Sequence, residues 1–185
     1  MEYRLTTPCT AADLAPLRAG DTVLLSGVVY TARDQAHRRM MEALDRGEAL
    51  PFPLEGSAIY YVGPTPERPG QVIGSAGPTT SGRMDAMSPR LLDLGNKIMI
   101  GKGKRDEAVK AAVVRNGAVY LAALGGAGAL MAKSVKTLEV IAWEDLGCEA
   151  VRRLTVQEMP LTVVLDAVGG DLYQSGPAAY LAEAE

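Results

Sequence analysis

The sequence of 185 residues is long enough for one domain that buries roughly 70% of the surface of its extended chain. Hydrophobic residues make up 48% of it and charged residues 22%, which is the composition of a globular protein and excludes a disordered, collagen-like or fibrous chain. The formal net charge of -3 gives no general attraction to nucleic acid.

The N-terminal part of the chain predicts a strand followed by a helix. Residues 21–30 are mostly apolar and β-branched, as in a buried strand. Thr31 and Asp34 have the spacing of a capping box, so we expect the helix to begin there. Its apolar stripe becomes cationic at the N-terminal end, where Arg33 lies one turn before His37.

The middle of the chain predicts four further strands and two helices. The expected strands are residues 57–62, 71–76, 97–100 and 118–124, and the expected helices are residues 89–94, with Ser88 as N-cap, and 105–115. Residues 63–70 contain three prolines and are expected to be a loop. The strand–helix–strand unit over 97–124 is most simply a parallel pair with a crossover helix.

The C-terminal third predicts a small-residue helix, two strands and a partly mobile tail. The helix is opened by Gly125, Gly126 and Gly128, the strands are residues 138–142 and 162–166 with irregular chain between them, and the tail is 176–185. Strands and helices do not alternate strictly. We therefore predict an α/β fold, a single layered domain over residues 1–185 with a mixed sheet.

Three polar loops follow predicted strands, which is where open α/β sheets gather their ligands. Together these loops carry cations and hydroxyl groups: Arg33, His37, Thr79, Thr80, Ser81, Arg83, Lys102, Lys104 and Arg105. Arginine binds a carboxylate with a planar fork of N–H donors, and lysine adds a point charge. The sequence therefore predicts a site for a small anion.

Structural alternatives stay open for parts of this set. Arg33 could be a surface arginine, His37 a histidine at the edge of the core, and GKGK at 101–104 a flexible turn with solvated lysines. The GPTTSGRMD segment at 77–85 is more specific, because two glycines and a proline fix an unusual backbone path. The chain has no Walker loop and no nucleophile beside His37, so neither a nucleotide site nor a hydrolase triad is predicted.

The cysteine and histidine content limits metal chemistry. The chain has two cysteines, Cys9 and Cys148, and one histidine, His37. A cubane iron–sulfur cluster takes about four cysteine thiolates, and a histidine-based metal site needs several imidazoles. We expect this chain to bind no metal, any metal chemistry to come from another chain, and both cysteines to be buried as small hydrophobic residues.

Membrane patterns are also missing from the sequence. The longest uncharged run, residues 116–132, is shorter than the ~20 residues that a membrane-spanning helix needs, and glycines interrupt it. The first residues include charges and no apolar stretch typical of a secretory signal. We therefore expect a cytoplasmic protein that binds neither membrane nor nucleic acid.

Five segments of the chain stand out as motifs: TARDQAHRR, IYYVGPTPERPGQVIGSAGPTTSGRMD, IGKGKR, YLAALGGAGALMAKSVK and WEDLGCEAV. In this order they resemble the β-type subunit of class I fumarase and the closely similar β subunit of L-tartrate dehydratase. The likeness runs from about residue 20 to residue 175. It does not separate the two substrates.

The resemblance implies a swivelling β/β/α domain and a larger α-type partner subunit that holds a [4Fe–4S] cluster. By the matching motifs, Arg33, Arg83 and Lys102 would bind the substrate carboxylates, and His37 would support them. Thr79 would be the base that takes the carbon-bound proton, and Thr80 would bond to the substrate. The family pattern GKGNR is replaced here by GKGKR, which leaves the role of Lys104 open.

The function predicted is the β subunit of an iron–sulfur hydro-lyase that interconverts (S)-malate and fumarate and is inactive without its α subunit. Threonine is a poor base, so its use requires a cation that stabilises the deprotonated hydroxyl, and Arg33 is the candidate. Dehydration of L-tartrate is the second predicted function, and that of a non-catalytic anion-binding or regulatory domain is the third. A homodimer in isolation is expected if a second copy covers the partner-facing surface.

Overall fold

The computed structural model describes residues 1–123 and 128–183. Its strands are β1 (Glu2–Thr6), β2 (Thr22–Thr31), β3 (Ala58–Tyr60), β4 (Ile98–Gly101), β5 (Val119–Ala122), β6 (Val135–Ala142) and β7 (Val151–Leu165). Its helices are α1 (Ala11–Leu14), α2 (Asp34–Asp45), α3 (Ser88–Asp93), α4 (Glu107–Arg115), α5 (Gly128–Ser134) and α6 (Leu172–Glu183). Two 3-10 segments, Ser81–Met84 and Glu144–Glu149, complete the regular structure of these ranges. None of the helices described has the length and apolar character to cross a membrane.

One mixed sheet contains all seven strands, so the predicted layered α/β fold with a mixed sheet is confirmed. Strands β2 to β5 pair in parallel, and β1 is parallel to the first half of β2. Strand β7 is antiparallel to β2, β5 and β6. Because β2 pairs with both β3 and β7, the pairings of β2, β3, β4, β5 and β7 form a closed circuit.

The closed circuit separates two hydrophobic clusters, because successive side chains of a strand point to opposite faces. Ala58 and Tyr60 of β3 belong to the cluster inside the circuit, with residues of β2, β4, β5 and β7. Ile59 and Tyr61 belong to the second cluster, which packs under α2, α3 and α4. Both faces of β3 and β4 are therefore buried, and their ends are held in fixed positions.

Most elements appear where the sequence predicts them, with three corrections. Residues 71–76 form no strand, because Thr65 binds this segment instead: its N–H donates to the Ser75 carbonyl (3.0 Å), and its hydroxyl accepts from the Ser75 N–H (2.8 Å). Strand β7 begins at Val151, eleven residues before its predicted start. Its first half alternates buried and exposed residues, and Pro160 lies inside it.

The third correction concerns both predicted helix caps. Thr31 ends β2 and does not cap α2, because its hydroxyl lies 3.3 Å from the Ala150 carbonyl and 3.0 Å from the Arg152 N–H. The N-cap of α2 is Arg33, whose side chain makes no capping hydrogen bond. Ser88 is the first residue of α3 and not its N-cap, since its hydroxyl bonds to the Met84 carbonyl (3.0 Å).

The remaining expectations have mixed outcomes. The β4–α4–β5 unit is a parallel pair, as predicted. Gly128 begins α5, whereas Gly125 and Gly126 lie outside the described residues. Residues 176–183 of the predicted mobile tail belong to helix α6, which begins at Leu172. Cys9 is buried, but Cys148 is exposed because it lies in the surface 3-10 segment, so the expectation that both cysteines are buried is wrong.

Candidate functional site

Loops that follow β2, β3 and β4 meet at one edge of the parallel part of the sheet. Arg33 follows β2, and its Nη1 lies 3.4 Å from the hydroxyl of Thr79, which comes after β3. Thr80 forms an isolated parallel bridge with Lys102, which follows β4. Arg83 Nε donates to Asp34 at 2.7 Å, which connects the second loop back to the first. The structure thus brings together the three loops that the sequence singled out.

The contact between Arg33 and Thr79 is fixed from several sides. The Thr79 N–H donates to the carbonyl of Tyr61, the residue after β3, at 2.7 Å. Gly63 lies against the guanidinium: a Cβ on it would be 2.8 Å from Arg33 Nη1. Position 63 therefore requires glycine if the arginine is to keep this place. The Arg33 side chain is 25% exposed, so it is open to a small ligand while most of it is packed.

Arg83 and Arg33 share one carboxylate. Asp34 Oδ1 accepts from Arg83 Nε at 2.7 Å, and Asp34 Oδ2 lies 3.7 Å from Arg33 Nε. Within the described residues, Oδ2 has no hydrogen-bond partner although it is buried. Arg83 remains 54% exposed. The Asp34 carboxylate thus lies between the Nε atoms of the two arginines that are predicted to bind the substrate carboxylates.

Lys102 is held by its backbone, and its side chain is exposed. The Lys102 carbonyl accepts from the Ser81 N–H (2.8 Å), and its own N–H donates to the Ser81 hydroxyl (3.1 Å). Ser81 is buried beside the hydroxyl of Tyr120 (2.9 Å), so it serves this loop connection and is not a ligand group. A Cβ on Gly101 would lie 1.9 Å from Ser81 Oγ, which makes glycine necessary there. Lys104 is also exposed.

Arg105 has a structural place and is not part of the anion site, contrary to the sequence prediction. Its side chain is buried, with Nε donating to Asp85 (2.5 Å) and Nη2 donating to Ser88 (2.8 Å). The guanidinium carbon lies 5.3 Å from the ring centre of Tyr61 and 5.0 Å from that of Tyr120. Arginine over aromatic faces is a favourable cation–π arrangement. Arg105 therefore stabilises the loop that follows β4 from the buried side.

His37 lies beneath the site and is fully buried. Its Nδ1 is 3.0 Å from the Arg33 carbonyl, and its ring meets the Tyr61 ring edge-on at 5.2 Å. Burial lowers the pKa of His37 from 6.5 to about 4, and the charge of Arg105 adds to this. The imidazole is neutral at pH 7, and its hydrogen bond to the Arg33 carbonyl connects it to the site.

The buried neutral His37 predicts a specific loss of stability in acid. The unfolded chain binds a proton at this residue below pH 6.5, and the folded chain does so only below about 4, so stability is full above 6.5 and falls as the pH drops between these values. The fall attributable to His37 is on the order of 3 kcal/mol. Urea unfolding at pH 7, 6 and 5 should show a steeper decline for the wild type than for His37→Gln. Parallel declines would contradict the assignment.

Sequence reasoning missed one side chain that touches this site. Glu149, the last residue of the 3-10 segment, accepts from Arg33 Nε at 3.1 Å. It also accepts from the backbone N–H of Gln35 at 3.2 Å. The available signal was its place in the WEDLGCEAV stretch, one of the segments that carry the resemblance. Its partner is 116 positions away, so spacing along the chain could not identify it.

The residues of this chain do not fit a [4Fe–4S] cluster. The whole sequence has two cysteines, of which Cys9 is buried and Cys148 is exposed, and such a cluster takes about four thiolates. Within residues 1–123 and 128–183, no three His, Cys, Asp or Glu side chains are grouped so that they could hold a metal ion. The chemistry of the described site is therefore that of its arginines, lysine and hydroxyl groups.

Comparison with known proteins matches the chain to one family. The family described as Fumarase C-terminus matches residues 1–176. Fumarate hydratase 2 of Leishmania major is 39% identical over 167 residues, which are 87% of this chain and 29% of that protein. The putative L(+)-tartrate dehydratase subunit beta of Methanocaldococcus jannaschii is 39% identical over 180 residues, 94% of this chain and 92% of that protein. The L(+)-tartrate dehydratase subunit beta of Escherichia coli is 34% identical over 177 residues, which are 93% of this chain and 87% of that protein. The chain thus spans under a third of the fumarate hydratases and most of the tartrate dehydratase subunits.

Proposed function

Because the chain belongs to the Fumarase C-terminus family, we propose that it supplies half of a hydro-lyase site, the half that binds a diacid and removes a carbon-bound proton. The observation that carries the proposal is the 3.4 Å contact between Arg33 Nη1 and Thr79 Oγ1. These are the two residues that the motifs predict as catalytic, and they are 46 positions apart. Relatives named fumarate hydratase and tartrate dehydratase support a lyase function.

The cations of the site would bind the carboxylates of the substrate. Arg33 and Arg83 each have Nε engaged by a carboxylate of the protein, which restrains both guanidinium groups before the substrate arrives. Lys102 would add a point charge, and Thr80, whose backbone pairs with that of Lys102, would offer its hydroxyl to the substrate. Donors that are fixed in advance stabilise developing charge without reorganisation during the reaction.

Thr79 would take the proton. Thr79 would act as its alkoxide, after its hydroxyl proton has been released to solvent. In the dehydration, the C–H electrons form the new double bond, the C–O bond breaks, hydroxide leaves, and the carbon-bound proton moves to Thr79 Oγ1, which restores the hydroxyl. Arg33 stabilises the negative charge that this oxygen needs in order to act as a base. Negative charge also grows on the carboxylate next to the reacting carbon, so the cations bind the transition state more strongly than the substrate. We assign the acceptor of the hydroxide to a partner subunit.

The proposal includes that partner. An α-type subunit would hold the [4Fe–4S] cluster, and the chain alone would be inactive. The cysteine count supports this division between the subunits, because the chain has two cysteines and a cluster takes about four. A closed circuit of strands with helices outside it supports the swivelling β/β/α type. A second copy of the chain is the occupant we propose for the partner-facing surface in isolation.

We propose (S)-malate and fumarate as the substrate pair. L-Tartrate is the second candidate, and one observation favours it: the relatives that match this chain over 92% and 87% of their length are tartrate dehydratase subunits. The two dehydration substrates differ by one hydroxyl group. A site that hydrogen-bonds such a group rejects the analogue without it, so one enzyme should prefer one substrate strongly.

The test is activity of the pair reconstituted under anaerobic conditions with an α-type subunit. Hydration of fumarate is expected to be faster than dehydration of L-tartrate, and each subunit alone is expected to be inactive. Faster L-tartrate dehydration would select the second candidate. If the pair contains its cluster and acts on neither acid, the remaining candidate is a non-catalytic anion-binding domain. Full activity of this chain alone would exclude the proposal that it supplies only half of the site.

A further inference from the structure

We propose that Glu149 is a positioning residue that fixes the Arg33 guanidinium and the N-terminus of α2 at the same time. One carboxylate oxygen, Oε1, accepts from Arg33 Nε at 3.1 Å and from the Gln35 N–H at 3.2 Å. The other side of the guanidinium then faces Thr79 through Nη1. The inference rests on the proposed function of Arg33 and Thr79 and deepens it by naming what orients them.

Helix α2 needs a capping group from outside. The first N–H groups of a helix have no partner within it, and the side chain of the N-cap residue usually accepts from one of them. Here the N-cap is Arg33, a donor directed at Thr79, and it makes no side-chain cap. Glu149 accepts from the second helical N–H, that of Gln35, and its negative charge suits a helix N-terminus. The cap is thus supplied from a distant segment while Arg33 remains available for the site.

The backbone around Glu149 is itself held in place. Gly147 has φ 59°, in the left-handed region that favours glycine, where the 3-10 segment bends. Arg152 donates to the carbonyls of Gly147 (2.9 Å), Cys148 (2.9 Å) and Ala150 (3.0 Å). These bonds fix the chain on both sides of Glu149. Its side chain is only 16% exposed, so solvent competes little for the carboxylate.

Glu149 affects the reaction through the direction in which the Arg33 guanidinium points. With Nε held by Glu149, the guanidinium cannot turn about its long axis, and Nη1 stays toward the Thr79 hydroxyl. Without Glu149, Arg33 keeps its charge, so the diacid is still attracted. Its orientation toward the base is lost, so removal of Glu149 should lower kcat more than it raises KM.

The same segment offers a matched control. Asp145 also joins the 3-10 segment to α2, through a two-pronged ion pair with Arg39 in which Nη1 and Oδ1 are 2.8 Å apart. This contact involves the same kind of groups and touches none of the residues of the site. Asp145→Asn therefore loosens the segment without disturbing the hydrogen bonds of Glu149.

The first test uses the assembled pair. Glu149→Ala should lower kcat by at least about tenfold with KM within about threefold. Glu149→Gln keeps an amide oxygen for both donors and should stay within about threefold of the wild-type kcat, as should Asp145→Asn. A wild-type kcat in Glu149→Ala, a rise in KM alone, or an equal loss in Asp145→Asn would overturn the proposal.

A second measurement does not depend on activity. In the chain itself, the Arg33 Nε–H gives an NMR signal that is assigned by its loss in Arg33→Lys. We expect its hydrogen exchange to be at least about tenfold faster in Glu149→Ala than in the wild type, and near the wild-type rate in Glu149→Gln and Asp145→Asn. Unchanged exchange in Glu149→Ala would overturn the positioning role. If the wild-type pair has no hydro-lyase activity, the proposed function fails, and this exchange rate alone decides the role of Glu149.

Discussion

Replacing Thr79 by alanine is expected to abolish turnover by the assembled enzyme, with a loss of at least about a hundredfold in kcat, because positioned general bases contribute this much or more. The backbone of residue 79 stays in place, since its bond to Tyr61 is made by the N–H, and Arg33 keeps its hydrogen bond to Glu149. KM should therefore change little. Cluster content should be unchanged, because the residues of this chain do not fit the cluster.

Two variants and one isotope measurement make the result specific. Thr79→Ser keeps a hydroxyl and should retain most of the rate, and Thr137→Ala, at an exposed position on β6, should behave as the wild type. Exchange of the carbon-bound proton with deuterated solvent should disappear together with turnover in Thr79→Ala. Substantial exchange or turnover in that variant would assign the proton to another group.

Replacing Arg105 by alanine should lower the free energy of unfolding by about 3–5 kcal/mol, the usual effect of removing one partner of a buried ion pair. Asp85 would lose the donor at 2.5 Å, although its second oxygen keeps the Asp106 N–H at 2.7 Å. The rings of Tyr61 and Tyr120 would face a cavity in place of a guanidinium. A domain is stable by only about 5–15 kcal/mol in total, so urea unfolding of the chain should show a large shift.

The control lies on the same side of the molecule. Arg115 in α4 makes a two-pronged but exposed pair with Asp93 (2.8 Å), and Arg115→Ala should leave the unfolding midpoint close to that of the wild type. The double variant Arg105→Met with Asp85→Asn should recover part of the loss, because no unpaired charge remains. Equal stability of Arg105→Ala and the wild type would show that the buried pair is not needed.

The site could be predicted to the extent that it depends on the ends of strands. Arg33 and Lys102 each follow a strand that the sequence indicates clearly, and parallel strands bring such loops to one edge. The strand predicted before Thr79, residues 71–76, does not form, and Thr79 reaches the same edge through its backbone bond to Tyr61. Arg105 shows the limit of that reasoning. Nothing in its own loop distinguishes a ligand from a buried cation, and its burial depends on Asp85 and on tyrosines from two different strands.

The first eleven residues of β7, 151–161, were missed for a related reason. This part of the strand mixes buried and exposed residues and carries charges and Pro160, so it lacks the apolar run that identified the other central strands. Its pairing partner β2 lies more than a hundred residues earlier in the chain. Glu149 stands just before this strand, so the same long-range pairing decides where its carboxylate points.

The closed circuit of strands also sets an order of assembly. Pairs that are remote along a chain form slowly, because a long loop must close before the contact is gained. Until residues 151–165 have joined the sheet, β2 and β5 each have an unpaired edge that can capture another chain. Glu149 reaches Arg33 only with that last strand. The orientation of the proton-removing pair is thus among the final events of folding, and a nascent chain that has not closed its sheet is exposed to aggregation before it can be competent for catalysis.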